Sequence, residues 1–326
     1  MKPIHFYTIK SSGGLKVEVS NLGAKITKLL IGGRDVVLGF KTAAEWQTKE
    51  TYFNAICGRV ANRIGGGKFE LDGHSYSLPI NNGPNSLHGG LEGFNAKYWD
   101  VTAQSAYEIT LHYRSKDGEE GYPGNLDLWV TYTATKDNTL RIHYEAKTDK
   151  PTLAAFTNHA YFNLAGEASG KVDEHVLQVN ADYYTPFDEW TCPTGEIEPV
   201  EGTPMDFRAP TRLGDRMYEP FFKPWKGIDN NWCLCKADAP KQMRHAATLE
   251  ADGLKMECWT TMKGLQVYTG NFIERNEGKS GTIYDEKYAV CLEAQAWPDG
   301  VHHDDFPNVV LLPGEKLDEI TEYRFL

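Results

Sequence analysis

The chain is short of the features that would mark several common classes of protein. No apolar run approaches the ~18 residues that cross a bilayer as a helix, and the opening MKPIHFYTIK has no continuous apolar stretch of the signal-peptide kind. Positive charge is in deficit: 34 Lys and Arg against 45 Asp and Glu give −11, which argues against a nucleic-acid or anionic-membrane partner. Cysteine is sparse and scattered (Cys57, Cys192, Cys233, Cys235, Cys258, Cys291). Only Cys233 and Cys235 are close, and one Cys-x-Cys without a second pair is a poor zinc signal. Free thiols are therefore expected, and with them a cytoplasmic location. No Asn-x-Ser/Thr sequon, Gly-x-Ser-x-Gly elbow, His-Glu-x-x-His pair or dinucleotide fingerprint occurs. The glycine run Gly65-Gly66-Gly67 lacks the Lys-Ser/Thr ending of a phosphate loop.

What is present is alternation and turns. The 326 residues include 31 glycines and 16 prolines, a turn-rich composition that favours strands over helix bundles. LKVEV (15–19), YEITLHY (107–113) and LRIHYEA (140–146) each put apolar side chains on one face of a strand. KFELDGHSYSL (68–78) and ATLEADGLKMECW (247–259) read as hairpins about Asp72-Gly73 and Asp252-Gly253, and residues 129–146 turn near Asp137-Asn138. Helical candidates are few and short; TAAEWQTKETYFNAI (42–56) has room for a turn or two. There is no βαβ rhythm, no internal repeat and no linker, so a single all-β domain spanning 1–326 is expected, built of packed antiparallel sheets.

The polar residues that could do chemistry sit in dense clusters. TNHAYFNLAG (157–166) sets His159 among apolar and aromatic neighbours; such a histidine is either a satisfied core group or a proton donor and acceptor near neutral pH. LPINNGPNSLHGG (78–90) ends in His88, followed by two glycines that would let backbone and ligand approach closely. GRVANRIGGGKF (58–69) carries Arg59, Asn62 and Arg63; KGIDNNW (226–232) carries Asp229 beside Trp225 and Trp232; GLQVYTGNF (264–272) carries Gln266. In VCLEAQAWPDG (290–300), Glu293 follows three apolar residues at an expected strand end, where partial desolvation would raise its pKa and make it a better base. Asp, Asn, Gln and Arg pair with hydroxyl groups and tryptophans pack on C–H faces, so the set suits a polyhydroxylated ligand. An acid and a base without a metal site or an activated nucleophile point to proton transfer.

In this order these blocks resemble the aldose 1-epimerase (galactose mutarotase) family. GRVANRIGGGKFELDGHSYSLPINNGPNSLHGG, NHAYFNLAG, ADYYTPFDEWTCPTGEIEPVEGTPMDF, QVYTGNF and FPNVVLLPGE with the closing TEYRF carry the resemblance over nearly the whole chain. It implies a large antiparallel β-sandwich, a monosaccharide substrate, no cofactor and no metal. Glu293 is then the base that takes the C1 hydroxyl proton and His159 the acid that protonates the ring oxygen. His88 assists or orients near the ring oxygen, and Asn62, Arg63, Asp229 and Gln266 bind sugar hydroxyls. The pair implies a rate that falls through an acidic and a near-neutral limb. A monomer, or at most a weak dimer, is expected. The alternatives are a hexose-6-phosphate mutarotase, which would want more basic residues than Arg59 and Arg63; a sugar-binding protein of the same fold without turnover; and a glycoside hydrolase using Asp229 as a second carboxylate. Asn230, where the family often has histidine, and the divergent segment 296–300 are expected beside the sugar and bear on its preference.

Overall fold

In the computed structural model, which describes residues 2–49 and 52–326, strands dominate. Among the described residues the α-helices are Ala43–Thr48 and Leu213–Arg216. The first lies inside the helical stretch expected at 42–56, of which residues 50 and 51 fall outside the described residues. Its start is set by a capping box: Thr42 Oγ1 accepts from the Glu45 backbone N–H, and the Glu45 carboxylate accepts from that of Thr42.

The largest sheet has nine antiparallel strands in the order Asp100–Gln104, Glu108–Ser115, Leu126–Ala134, Thr139–Thr148, Leu317–Phe325, Leu254–Thr260, Arg244–Ala251, Val176–Val179, Thr211–Arg212. The alternation read from the sequence becomes its two faces: along Leu126–Ala134 every second residue is buried. The expected hairpins form where the turn residues tolerate positive φ. Asp252 and Gly253 (φ 48° and 75°) join Arg244–Ala251 to Leu254–Thr260, and Asp72 and Gly73 (φ 50° and 73°) join Lys68–Leu71 to His74–Ser77.

A five-stranded sheet, ordered Glu198–Pro199, Tyr183–Thr185, Asp229–Cys233, Gly264–Tyr268, Cys291–Gln295, carries the function-bearing face. Its other face supplies Trp232, Leu265, Val267, Leu292 and Ala294 to the core formed with Leu128, Val130, Tyr144 and Tyr323 of the large sheet. Each buried aliphatic side chain there is worth about 1.5–3 kcal/mol. The Tyr323 hydroxyl donates to the Leu292 carbonyl across the layers, 2.8 Å away. Because strand side chains alternate, an apolar core face obliges the intervening residues of the last three strands in that order to point the other way. Those residues are Asp229, Asn231, Gln266, Tyr268, Cys291 and Glu293.

Candidate active site

Register places the polar residues of the small sheet in rows. Asn231 lies opposite Gln266, and Gln266 opposite Glu293; in the next row Asp229 faces Tyr268, which faces Cys291. Glu293 is therefore mid-strand, not at the strand end expected from sequence, and only 2% of it is exposed. His159 comes to the same place from elsewhere. The strand Thr157–Asn158 pairs with Ile56–Cys57, and the Thr157 hydroxyl donates to the Ala294 carbonyl. His159 is then held by its own N–H on Ala55 O and its carbonyl on Asn54 N–H, at 2.9 and 3.0 Å. Its ring stacks on Tyr161 (centroids 4.8 Å, planes 8° apart) and meets Tyr268 edge-on.

The outcome is that His159 Nε2 stands 3.6 Å from Glu293 Oε1. Burial drives both groups toward their uncharged forms: the carboxyl is raised well above its ordinary value, helped by the nearby Asp229 charge, and the imidazole is lowered to about 3. Glu293 Oε2 has no hydrogen-bond partner among the described residues, which leaves it available to a ligand.

The second histidine is fixed through its ring. The Asn62 backbone N–H donates to His88 Nδ1 at 3.1 Å, so the neutral ring carries its proton on Nε2 and is a donor there. Burial, then the neighbouring His159 and Arg63, lower His88 well below the usual histidine range and keep it neutral. Its glycines serve a different purpose from the one expected. At Gly89 (φ 92°) a Cβ would meet the Gly58 carbonyl oxygen at 1.9 Å, so that glycine lets backbone pass backbone rather than ligand.

Arg63 is braced from three sides. Nε donates to Asn82 Oδ1 at 2.9 Å, Nη1 to Asn62 Oδ1 at 3.2 Å, and Nη2 lies 3.8 Å from Asp229 Oδ2. Gln266 Nε2 donates to the other Asp229 oxygen at 2.7 Å. Burial nevertheless raises the Asp229 carboxyl against the opposing pull of Arg63 and Gln266.

All seven residues singled out from the sequence, Asn62, Arg63, His88, His159, Asp229, Gln266 and Glu293, line one cavity of about 260 Å³. Tyr52, Asn82, Leu87, Tyr161, Tyr268 and Phe272 complete it. The aromatic walls are thus tyrosines and Phe272, 55% exposed at the rim, and not the tryptophans expected beside Asp229. Trp232 is core, its indole N–H on Met205 O, and Trp225 packs edge-on against Phe187. Tyr161 and Tyr268 lie in NHAYFNLAG and QVYTGNF, but alternation alone does not say which aromatic of a cluster faces a pocket. Arg59, grouped in the sequence with Asn62 and Arg63, does not join them at the cavity. It is 1% exposed and its guanidinium donates to Pro123 O, Gly124 O and Ser115 Oγ, away from the cavity. Neither Asn230 nor residues 296–300 line the cavity. Asn230 Oδ1 accepts from the Asp229 backbone N–H, and Asp299 brackets the Arg63 strand by accepting from Gly65 N–H and donating to Arg63 O.

Fold and site together define an antiparallel β-sandwich with a buried carboxyl–imidazole pair at the wall of a polar, tyrosine-lined pocket. A family model described as aldose 1-epimerase matches residues 5–324. A galactose mutarotase from Sus scrofa is 43% identical over 320 residues, 96% of this chain and 92% of that protein. An aldose 1-epimerase from Escherichia coli (strain K12) is 33% identical over 334 residues, covering 100% of this chain and 96% of its own. The crystal structure of an aldose epimerase homologue from C. elegans superposes with a TM-score of 0.91 at 31% identity, covering 99% of both chains. The chain belongs to the aldose 1-epimerase family.

Proposed function

We propose that the protein interconverts the α and β anomers of free aldohexoses, galactose and glucose among them, by opening and reclosing the sugar ring. The observation that carries this reading is the His159–Glu293 pair, 3.6 Å apart on the wall of a cavity whose remaining polar groups suit hydroxyls. At about 260 Å³ the cavity is smaller than the ~300–1,000 Å³ of drug-sized sites and suits one sugar ring.

In this mechanism Glu293 takes the proton of the C1 hydroxyl as His159 gives one to the ring oxygen. The C1–O5 bond breaks, a carbonyl forms at C1, and rotation about C1–C2 turns its other face to the C5 hydroxyl. Reclosure returns both protons with the roles of acid and base exchanged. Ring opening starts from carboxylate and imidazolium and ends with carboxylic acid and neutral imidazole. That second state is the one burial favours at these two positions, so the site's low polarity supports ring opening. Arg63, Asn62, Asp229 and Gln266 would fix the hydroxyls, and His88 Nε2–H would donate near the ring oxygen. An acid and a base are worth about 10²–10⁴-fold each, enough for a reaction that water already performs slowly.

Among the described residues Arg63 is the one arginine or lysine lining the cavity, and it shares it with Asp229 and Glu293. A phosphate dianion would meet two carboxyl groups and a single cation, which disfavours hexose 6-phosphates. Retention of the acid and the base disfavours a binding protein without turnover. A cytoplasmic location belongs to the same reading and is supported by six cysteines that form no disulfide among the described residues; a monomer completes it. Polarimetry of fresh α-D-glucose and α-D-galactose tests the proposal. Accelerated decay to the anomeric equilibrium is expected on at least one, and no acceleration on either would overturn it.

A further inference from the structure

Directly behind the cavity lining sits a donor that ring opening does not use. Cys291 lies two residues before Glu293 on one strand, so both side chains leave the same face. One ligand atom each from His159, Cys291 and Glu293 lie within 4.8 Å of one another, and all three residues are buried. Cys291 has no accessible surface and no disulfide. The unpartnered Glu293 Oε2, on a side chain 2% exposed, marks the cluster as short of a partner.

Thiolate, imidazole and carboxylate together are the donor set of Zn²⁺ and Cd²⁺, whereas Mg²⁺ and Ca²⁺ prefer all-oxygen shells. Donors about 2.0–2.3 Å from a tetrahedral Zn²⁺ stand roughly 3.3–3.7 Å from one another. The His159–Glu293 separation of 3.6 Å is already in that range, and a side-chain adjustment of about 1 Å would bring in Cys291.

We propose that His159, Cys291 and Glu293 form a binding site for a soft divalent cation, with Zn²⁺ and Cd²⁺ as its occupants, and that occupancy inactivates the protein. The charges balance. A dication with one thiolate and one carboxylate is neutral, which a dry cavity accepts; the thiol proton, and the carboxyl proton where present, leave to solvent. Inactivation follows because the ion holds both the base and the acid. Since His159 and Glu293 both line the cavity, a fourth ligand such as water or a sugar hydroxyl would reach the ion from that side. The inactivation half rests on the epimerase reading; the binding half does not.

The test uses the full chain, treated with chelator and then titrated with CdCl₂ or ZnCl₂. A single equivalent of Cd²⁺ should bring up the ultraviolet charge-transfer absorption of a cadmium–thiolate bond. Over the same titration the mutarotation rate should fall, excess EDTA should restore it, and Mg²⁺ should do nothing. Cys291→Ser should keep the metal-free rate, lose the absorption and need about 10–100-fold more metal for inhibition. If the serine variant does not fold, Cys291→Ala and X-ray absorption at the zinc edge of the wild-type protein take its place, with one sulfur and nitrogen or oxygen donors expected. A band that survives in the variant, an unchanged inhibition curve, or a zinc shell without sulfur would overturn the site. Absence of any sugar turnover would defeat the epimerase reading while the cadmium band still tests the binding.

Discussion

His159 Nε2 lies 3.6 Å from Glu293 Oε1 in a site that leaves 5% of one residue and 2% of the other exposed. Burial drives both groups toward their uncharged forms, the carboxyl protonated and the imidazole neutral. Charge separation within the pair is costly in the empty cavity, and a substrate whose C1 hydroxyl and ring oxygen lie against the two groups lets one proton enter as another leaves. Glu293→Gln removes the acceptor while keeping shape and hydrogen-bonding length. It should lower kcat by about 10²–10⁴-fold with sugar binding retained. Polarimetry and calorimetric titration check it, and a near-normal rate would remove Glu293 from the chemistry.

His159→Asn should also reduce kcat by about 10²–10⁴-fold, because asparagine cannot hand over a proton. Tyr161 loses its stacked partner in that variant, so a thermal melt run beside the rate assay separates a lost acid from a disturbed wall. A folded variant with unchanged kcat would make this an ordinary core histidine.

Most of this site was readable because its residues fall in short, unusual clusters. Glu293, Gln266 and Asp229 lie on strands whose alternation alone forces them opposite Leu292, Val267 and Trp232. What escaped was direction. Trp225 and Trp232 look like sugar platforms beside Asp229, yet register sends Trp232 into the core, and nothing local distinguishes it from Tyr268, which reaches the pocket from the next strand. Arg59 looks like a partner of Arg63 in sequence, but the carbonyls that bind it lie on a loop more than sixty residues away. Asn82 escaped for a related reason: its role is to brace Arg63, a pairing set by folding. Long-range partners of this kind leave no periodic trace.

Asp229→Asn tests the sugar-positioning side of the pocket. The carboxylate accepts from Gln266 and lies beside Arg63, and breaking a buried ion pair from one side typically costs about 3–5 kcal/mol. Here Asn62 and Asn82 still hold Arg63, so the fold should survive. KM should rise by roughly tenfold or more, as for the loss of ~1.4 kcal/mol or more of binding, with a smaller change in kcat. Steady-state polarimetry over a range of galactose concentrations decides it; a loss confined to kcat would place Asp229 in the chemistry instead.

The pH profile should differ from the acidic and near-neutral limbs that a solvent-exposed acid/base pair implies. The productive free enzyme has one proton on the pair. A second is added only as His159, lowered to about 3 by burial, becomes charged, and the last is lost only above the ordinary carboxylate range, where burial has moved Glu293. In chelator-treated buffer kcat/KM should therefore not decline between about pH 7 and about pH 5. A limb centred near the ordinary histidine value of about 6.5 would show that His159 is hydrated in solution.

The same burial makes Glu293 a liability for stability. Its folded pKa is raised above that of the unfolded chain, so its contribution is fully present below the ordinary carboxylate value near 4.5 and is lost as pH rises toward the folded one. Glutamine cannot ionise and escapes that loss. Glu293→Gln should therefore melt at a higher temperature than the wild type near neutral pH, on the order of 2 °C for each kcal/mol recovered, with the gap closing at about pH 4. Calorimetry at both pH values decides the sign. A variant less stable than the wild type at neutral pH would mean that Glu293 is ionised and well paired in the folded protein, and the base would then need no activation by burial.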